Sequence, residues 1–493
     1  MGRSGSGAVA SPVVGEAPTF TPTPTTYCGF SRRVVGKREQ LYVPRSAPMV
    51  LVSAPSDTGK SRRILAPAAV LWGGPAVVVS SKDDLMQNVM QRRWGPRALL
   101  DLRPLTSPVY PDGIVANVYD PTVTIDSPYE ALTVAETIMQ MATVGLGSGA
   151  DQVSDGGVWE SQAAGPLAAF LFAASPQGNS KGMNWVLTGV DNIDPESTSE
   201  PGWAQAAAIC HQYPTLSVGM MRIMEMDPRQ RDSVAITMRK AITPWLRTSL
   251  VDRGAALPFA LEFLDDPQAT LYVLAPADGT VAGAAVTLLD SLVRRWREKT
   301  SAREQMHRLL MIIDELPNTA PIPNLPKIVG EGRGLGINLV AAVQASSSLA
   351  RVYGQDIAEE LRHIFGAAVI MFGAREDQIL EDAQTWSPLT NRRNQQFGQA
   401  DGHKSLSSEL GPSLRWEELL PPTREHARVL VRGGVGVCAE IPDWSEFLRR
   451  YDTAISEILS RTARQEKAGD TQYSRAAGLL RRLWSDTRND AEL

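Results

Sequence analysis

The sequence predicts an α/β protein built on a largely parallel sheet, with an all-α domain inserted into it. Three observations carry that expectation. The apolar run Met49–Val52 feeds a tight loop, Ser53–Ser61, that opens onto a helical segment beginning Arg62-Arg63-Ile64-Leu65. Short Val- and Leu-rich runs without polar alternation recur between helical stretches, as strands covered on both faces require. Between residues 123 and 254 the strand signal stops and one helical segment follows another, the pattern of an insertion within an α/β unit.

The composition permits this size of core. The chain has 493 residues, of which 43% are hydrophobic and 21% charged, ordinary values for a globular protein. The formal net charge of −5 means that any nucleic-acid contact has to come from local basic patches. Cys28, Cys210 and Cys438 lie far apart and show no metal or redox spacing, which fits unpaired thiols of a reducing cytoplasm. The apolar runs Leu65–Ser81 and Pro166–Ala174 are too short, or too interrupted by Pro and Gly, to cross a membrane, and the N-terminus lacks the pattern of a signal peptide.

Taken in order, residues 1–26 are mostly Gly, Ser, Pro, Thr and Ala and are expected to be a disordered arm. A nucleotide-binding domain over 27–122 opens with strand Met49–Ser53 and helix Ser61–Leu71. Strand Ala76–Ser80, helix Lys82–Arg92 and strand Leu99–Leu102 follow. The insertion, 123–254, carries helices Ser127–Val144, Trp159–Ala174, Trp203–Gln212, Leu216–Met226 and Asp232–Arg247. The Gly-rich loop Gly145–Gly157 and the polar loop Ser175–Pro201 break them. The nucleotide-binding domain resumes over 255–445 with strand Thr270–Ala275, helix Ala284–Lys299, and strands Leu309–Ile313 and Asn338–Gln344. Helix Gln355–Phe365 and strand Ala367–Phe372 come next. The Asn/Gln/Arg-rich stretch Trp386–Ser407 reads as a mobile loop, and Arg428–Val431 with Val435–Glu440 as a closing hairpin around Gly433-Gly434. Residues 446–493 form a charged, helical tail.

Ser53-Ala54-Pro55-Ser56-Asp57-Thr58-Gly59-Lys60-Ser61 has the spacing of a phosphate-binding P-loop, with Ala54 where the first Gly is usual. In such a loop the backbone N–H groups of Pro55–Ser61, Pro55 itself excepted, cradle phosphate oxygens. Lys60 reaches the β- and γ-phosphates, and the Ser61 hydroxyl ligates Mg²⁺. Alanine suits that geometry unless the loop needs a strongly positive φ there. A second element agrees with it: the apolar strand Leu309–Ile313 runs directly into Asp314-Glu315. Asp314 would hold Mg²⁺ through a water, and Glu315 would polarise the water attacking a γ-phosphate. ATP and Mg²⁺ are therefore the expected cofactors. Arg333, between Gly332 and Gly334, reads as a loop residue able to project onto a neighbouring subunit's γ-phosphate. Gln344, ending its strand, could sense that phosphate.

These motifs resemble those of the type IV coupling proteins, the TraG/TraD-type ATPases of conjugation and relatives of FtsK and HerA. The similarity lies in the P-loop, Ile312-Ile313-Asp314-Glu315, Gly332-Arg333-Gly334-Leu335-Gly336-Ile337 and Gln344. It extends through Gly74–Leu85, Ser233–Trp245 and Thr270–Ala275, and covers Tyr42–Asp443. The resemblance implies a RecA-like nucleotide-binding domain with an all-α domain, assembled as a hexameric ring that moves DNA to a secretion channel. It implies relaxase or relaxosome proteins and a type IV secretion channel or membrane partner. The family's N-terminal transmembrane helices are missing from this sequence. A cytoplasmic protein, recruited to the inner face of the membrane by a partner, is expected.

DNA contacts are less legible. Candidates are Arg62/Arg63, Arg92/Arg93/Arg97, Arg229/Arg231, Arg239/Lys240 and Arg392/Arg393, none of which stands out as a ligand. The rival functional reading is a nucleotide-regulated docking protein that recognises a relaxase or secreted protein without pumping. Glu315 and Arg333 favour turnover, since a binding switch needs neither.

Overall fold

A computed structural model describes residues 25–35, 38–44, 46–105, 108–143, 156–250, 256–304, 306–397 and 404–467. Nearly all of the expected N-terminal arm, most of the Gly145–Gly157 loop and the tail beyond Lys467 lie outside the described residues. The described chain falls into two compact units, one drawn from 1–73, 88–94 and 366–493, the other from 74–87 and 95–365.

In the first unit, every residue of strand Met49–Ser53 is buried. It runs parallel to Ala367–Met371, with Val50 opposite Ala367 and Ser53 opposite Ile370. Ala367–Met371 pairs antiparallel with His426–Val431, which turns back onto Val437–Glu440 as the expected closing hairpin. Gly436 makes that turn with φ +66, and a Cβ there would lie 2.2 Å from the Val429 carbonyl oxygen. Helix Trp444–Lys467 closes the unit through aromatic contacts. Trp444 stacks on Phe447 with ring centroids 5.3 Å apart, and Tyr27 meets Phe447 edge-on at 6.0 Å.

The stretch expected as a mobile loop, Trp386–Ser407, is instead part of an antiparallel ribbon. Leu389–Phe397 pairs with Lys404–Pro412 in unbroken register from Leu389↔Pro412 to Phe397↔Lys404. A backbone ladder holds such a ribbon whatever its residues, and the polar run gives no two-residue alternation to read. Helix Asp377–Thr385 precedes it.

The second unit carries a parallel sheet. Its strands run in the order Ile337–Val343, Leu309–Ile313, Ala76–Ser80, Thr270–Leu274, Arg97–Asp101, Val115–Val118, Leu257–Pro258. All residues of the first four are buried, which explains their largely apolar character and the lack of any charged residue within them.

The same unit contains helices Pro128–Thr143, Gly156–Ala174, Gly182–Gly189, Trp203–Ile209, Pro214–Met224 and Pro228–Ser249, with one shared core. From Pro166 to Ser175 every residue is buried, so that segment is apolar on all sides rather than amphipathic. Helix Gly182–Gly189 lies inside the stretch Ser175–Pro201 expected to be a polar loop. It is short, and its apolar face (Met183, Val186) has meaning only against the core it joins. Asp120 secures its start: one carboxylate oxygen accepts the Met183 N–H at 2.8 Å, while the other accepts the Thr122 N–H at 2.9 Å.

Trp203 sits at the centre of this core, fully buried. Its indole N–H donates to the Val190 carbonyl at 2.9 Å, and its ring meets Phe170 edge-on at 5.7 Å. Trp203→Ala should cost about 3–5 kcal/mol of stability through the lost burial and the cavity left behind. A denaturant midpoint unchanged from wild type would contradict this packing.

Candidate functional site

In the first unit the P-loop follows the buried end of strand Met49–Ser53. The Ser53 hydroxyl donates to the carboxyl of Glu376, and both residues are buried. The loop is held internally by the Thr58 hydroxyl, which donates to the Pro55 carbonyl at 2.7 Å. Asp57 (φ +61) and Gly59 (φ +85) supply its left-handed turns, whereas Ala54, fully buried, is not among the left-handed residues. The replacement of the usual first glycine therefore carries no torsional penalty here.

Lys60 begins the helix with helical torsions and a largely buried side chain. The Arg63 N–H donates to the Gly59 carbonyl at 2.8 Å, and the Ala66 N–H reaches back five residues to Ser61, widening the first turn. A loop of left-handed residues opening onto a helix N-terminus presents N–H groups and the positive end of the helix dipole, a setting suited to an anion. The helix is anchored from behind: Arg63 donates to the Ile441 carbonyl at 2.7 Å, and Arg62 pairs with Asp443 at 2.7 Å.

In the second unit strand Leu309–Ile313 delivers Asp314 and Glu315 at its carboxyl end. Asp314 is buried, and its N–H donates to the Val79 carbonyl at 2.9 Å. Glu315 adopts φ +55, ψ +47, the left-handed conformation that a non-glycine residue occupies only when its surroundings impose it. The N–H groups of Asn318 and Thr319 donate to its carbonyl at 2.8 and 3.0 Å. Gln344, directly after strand Ile337–Val343, donates its side-chain amide to the Glu315 carboxylate at 3.2 Å. The structure thus brings together two residues that the sequence singled out separately.

Arg333 is placed differently from expectation. It is not on a loop: Leu325–Leu335 is a helix, and Arg333 lies in its last turn, exposed to solvent. Gly332 and Gly334 are helical, while Gly336, with φ +76, terminates the helix. Gly330, Gly332 and Gly334 each cost about 1 kcal/mol in a helix interior, which is why the segment reads as loop. The face formed by Leu325, Ile328, Val329 and Gly332 is buried, and that packing overrides propensity. The 325/328/329/332 spacing was the available signal. Arg308 braces this helix end, donating to the Arg333 carbonyl at 3.3 Å and to Asn338 at 3.0 Å. Burial first, and the neighbouring Arg333 guanidinium second, push the Arg308 pKa down. Since Ile337 starts the strand that Gln344 follows, Arg333 precedes its beginning and Gln344 follows its end, a strand about 20 Å long at 3.3 Å per residue.

Several candidate DNA-contacting arginines are engaged within the protein. Besides Arg62 and Arg63, Arg92 pairs with Asp452 at 2.9 Å, and Arg239 pairs with Asp191. Arg93 is buried and donates to the carbonyls of Ala69 and Trp72 at 2.9 and 2.6 Å. Arg229 and Lys240 are exposed on helix Pro228–Ser249. Glu376 and Thr319 were not legible beforehand, because neither belongs to a motif and Glu376 lies far along the chain from Ser53.

The profile of the family described as Type IV secretory system Conjugative DNA transfer matches residues 13–396. Among curated proteins none matches the chain. Solved structures of a bacterial conjugative coupling protein, TrwB, share its fold. A trigonal form of a truncated TrwB in complex with sulphate gives a TM-score of 0.54 at 16% identity, covering 80% of this chain and 85% of that one. TrwB in complex with the GTP analogue GDPNP gives 0.50 at 17% identity, covering 80% and 85%. TrwB with ADP and Mg²⁺ gives 0.50 at 18% identity, covering 80% and 84%.

The Ser53–Glu376 contact offers a direct check on the P-loop's foundation. Ser53→Ala removes a hydrogen bond to a buried carboxyl and should cost about 1–2 kcal/mol. Urea unfolding measures this, and a midpoint equal to wild type would show that the contact contributes nothing.

Proposed function

The chain belongs to the conjugative DNA transfer family of type IV secretory systems, the coupling-protein family, and from that premise we propose that it is an ATP-hydrolysing, DNA-translocating motor. In this reading it passes a relaxosome-bound DNA substrate to a type IV secretion channel. The observation that carries the proposal is the Glu315–Gln344 contact beside a left-handed backbone at Glu315. A docking switch has no need of a carboxylate held in a strained position, whereas hydrolysis needs one aimed at water.

The roles follow from the chemistry of each group. The Pro55–Ser61 backbone and Lys60 bind the triphosphate of ATP. Mg²⁺ is a hard cation that favours oxygen donors and retains waters, and the Ser61 hydroxyl with the buried Asp314 carboxylate suits it. Bound there, it would neutralise phosphate charge. Glu315 takes up the proton of the attacking water. Gln344, bonded to Glu315, ties that carboxylate to the state of the γ-phosphate. Arg333 lies toward the far end of its strand from Gln344, which supports action on a neighbour's nucleotide in a homo-oligomeric ring, taken as a hexamer. TrwB has been solved with ADP and Mg²⁺ and with the GTP analogue GDPNP, which favours nucleotide and Mg²⁺ as ligands here. Among the described residues, no helix is long and apolar enough to cross a membrane. We take the protein to be cytoplasmic, held at the membrane's inner face by a partner. We take 27–122 with 255–445 as the nucleotide-binding domain and 123–254 as the all-α insertion.

Lys60→Ala should abolish hydrolysis, and Glu315→Gln should retain ATP binding while stopping turnover. DNA-stimulated phosphate release measures both, and wild-type rates in either variant would overturn the site. Arg333→Ala should lower turnover by a factor on the order of 10³ or more if the guanidinium neutralises transition-state charge. Mixing Arg333→Ala with Lys60→Ala should partly restore hydrolysis, since a mixed ring sets an intact arginine beside an intact P-loop. A mixture that stays inactive although both chains co-assemble would remove Arg333 from the mechanism and favour the docking reading.

A further inference from the structure

Thr319 is fully buried, and its hydroxyl donates to the Asp314 carbonyl at 2.7 Å and lies 3.3 Å from the Glu315 carbonyl. Its backbone N–H also donates to the Glu315 carbonyl at 3.0 Å. One residue therefore grips both carbonyls of the acidic pair. Between them lies the φ torsion of Glu315, held at +55°. A second tether lies alongside: Asn318 donates its N–H to Glu315, and its side-chain oxygen accepts from Arg351 at 2.9 Å.

A glutamate has no intrinsic preference for the left-handed region, and relaxation to the extended or right-handed region would swing its side chain away from Gln344. We propose that Thr319 is a positioning residue, whose hydroxyl holds the Asp314–Glu315 peptide so that the Glu315 carboxylate stays within reach of Gln344. It touches neither nucleotide nor water itself. The inference rests on Glu315 acting in hydrolysis, but the clamp is a property of the chain that can be measured without any turnover.

Valine matches threonine in shape and lacks the hydroxyl, while serine keeps it. Backbone amide exchange over residues 314–320 is compared in wild type, Thr319→Val and Thr319→Ser. Exchange at least tenfold faster in Thr319→Val, with Thr319→Ser near wild type and global unfolding midpoints similar, is the expected result. In the ATPase assay Thr319→Val should lower kcat tenfold or more and leave KM for ATP within about twofold, and Thr319→Ser should restore kcat. Wild-type exchange in Thr319→Val overturns the clamp, whatever the ATPase result. Faster exchange with unchanged kcat overturns the positioning role. If wild type itself fails to hydrolyse ATP, the motor reading fails, and the exchange comparison still decides the clamp. Should Thr319→Val fold poorly, Thr319→Ala with the same two readouts replaces it.

Discussion

A strand buried on both faces cannot carry a charge along its length, because nothing in the layers above and below would solvate it. That constraint organises both units. Met49–Ser53, Leu309–Ile313 and Ile337–Val343 are buried at every position. No charged residue falls within these strands, and directly after each of them the chain sets the P-loop, the Asp314-Glu315 pair and Gln344. Because Leu309–Ile313 and Ile337–Val343 are parallel neighbours, their carboxyl ends fall on one edge. The Glu315–Gln344 hydrogen bond is a consequence of that topology.

The same topology separates Arg333 from them. A parallel connection must return the chain to the starting edge before the next strand, and helix Leu325–Leu335 is that return. Its last turn, with Arg333, is delivered to the edge where strand Ile337–Val343 begins. Gly336 stops the helix in the left-handed conformation, and Arg308 holds the terminal carbonyl. An arginine so placed faces outward, away from its own acidic pair.

Basic residues that a sequence reader would offer to a DNA backbone are in large part structural. Arg62, Arg63 and Arg92 tie the segments after the P-loop to the C-terminal part of the first unit, through Asp443, Ile441 and Asp452. Arg93, buried against the carbonyls of Ala69 and Trp72, holds its own segment to the end of the helix that follows Lys60. These contacts link the helix that follows Lys60 to the strand end and helix at the C-terminus, so that the P-loop rests on residues from both ends of the chain.

The fold class, most strand positions and the phosphate-loop and acidic motifs were legible in the sequence. Uninterrupted apolar runs, a loop of fixed spacing and a carboxylate pair at a strand end are local patterns with local causes. The tertiary structure alone decided what depended on partners distant in the chain. Leu325–Leu335 is helical because its apolar face is buried, against the propensity of Gly330, Gly332 and Gly334. The segments 182–189, 389–397 and 404–412 gained regular structure from a shared core and a backbone ladder that no periodicity announces. Ser53 met Glu376, and Glu315 met Gln344, because strand order made neighbours of residues that the sequence holds far apart. The left-handed turn at Glu315 belongs to the same class: a torsion that glutamate does not favour, imposed by the hydrogen bonds of Asn318 and Thr319.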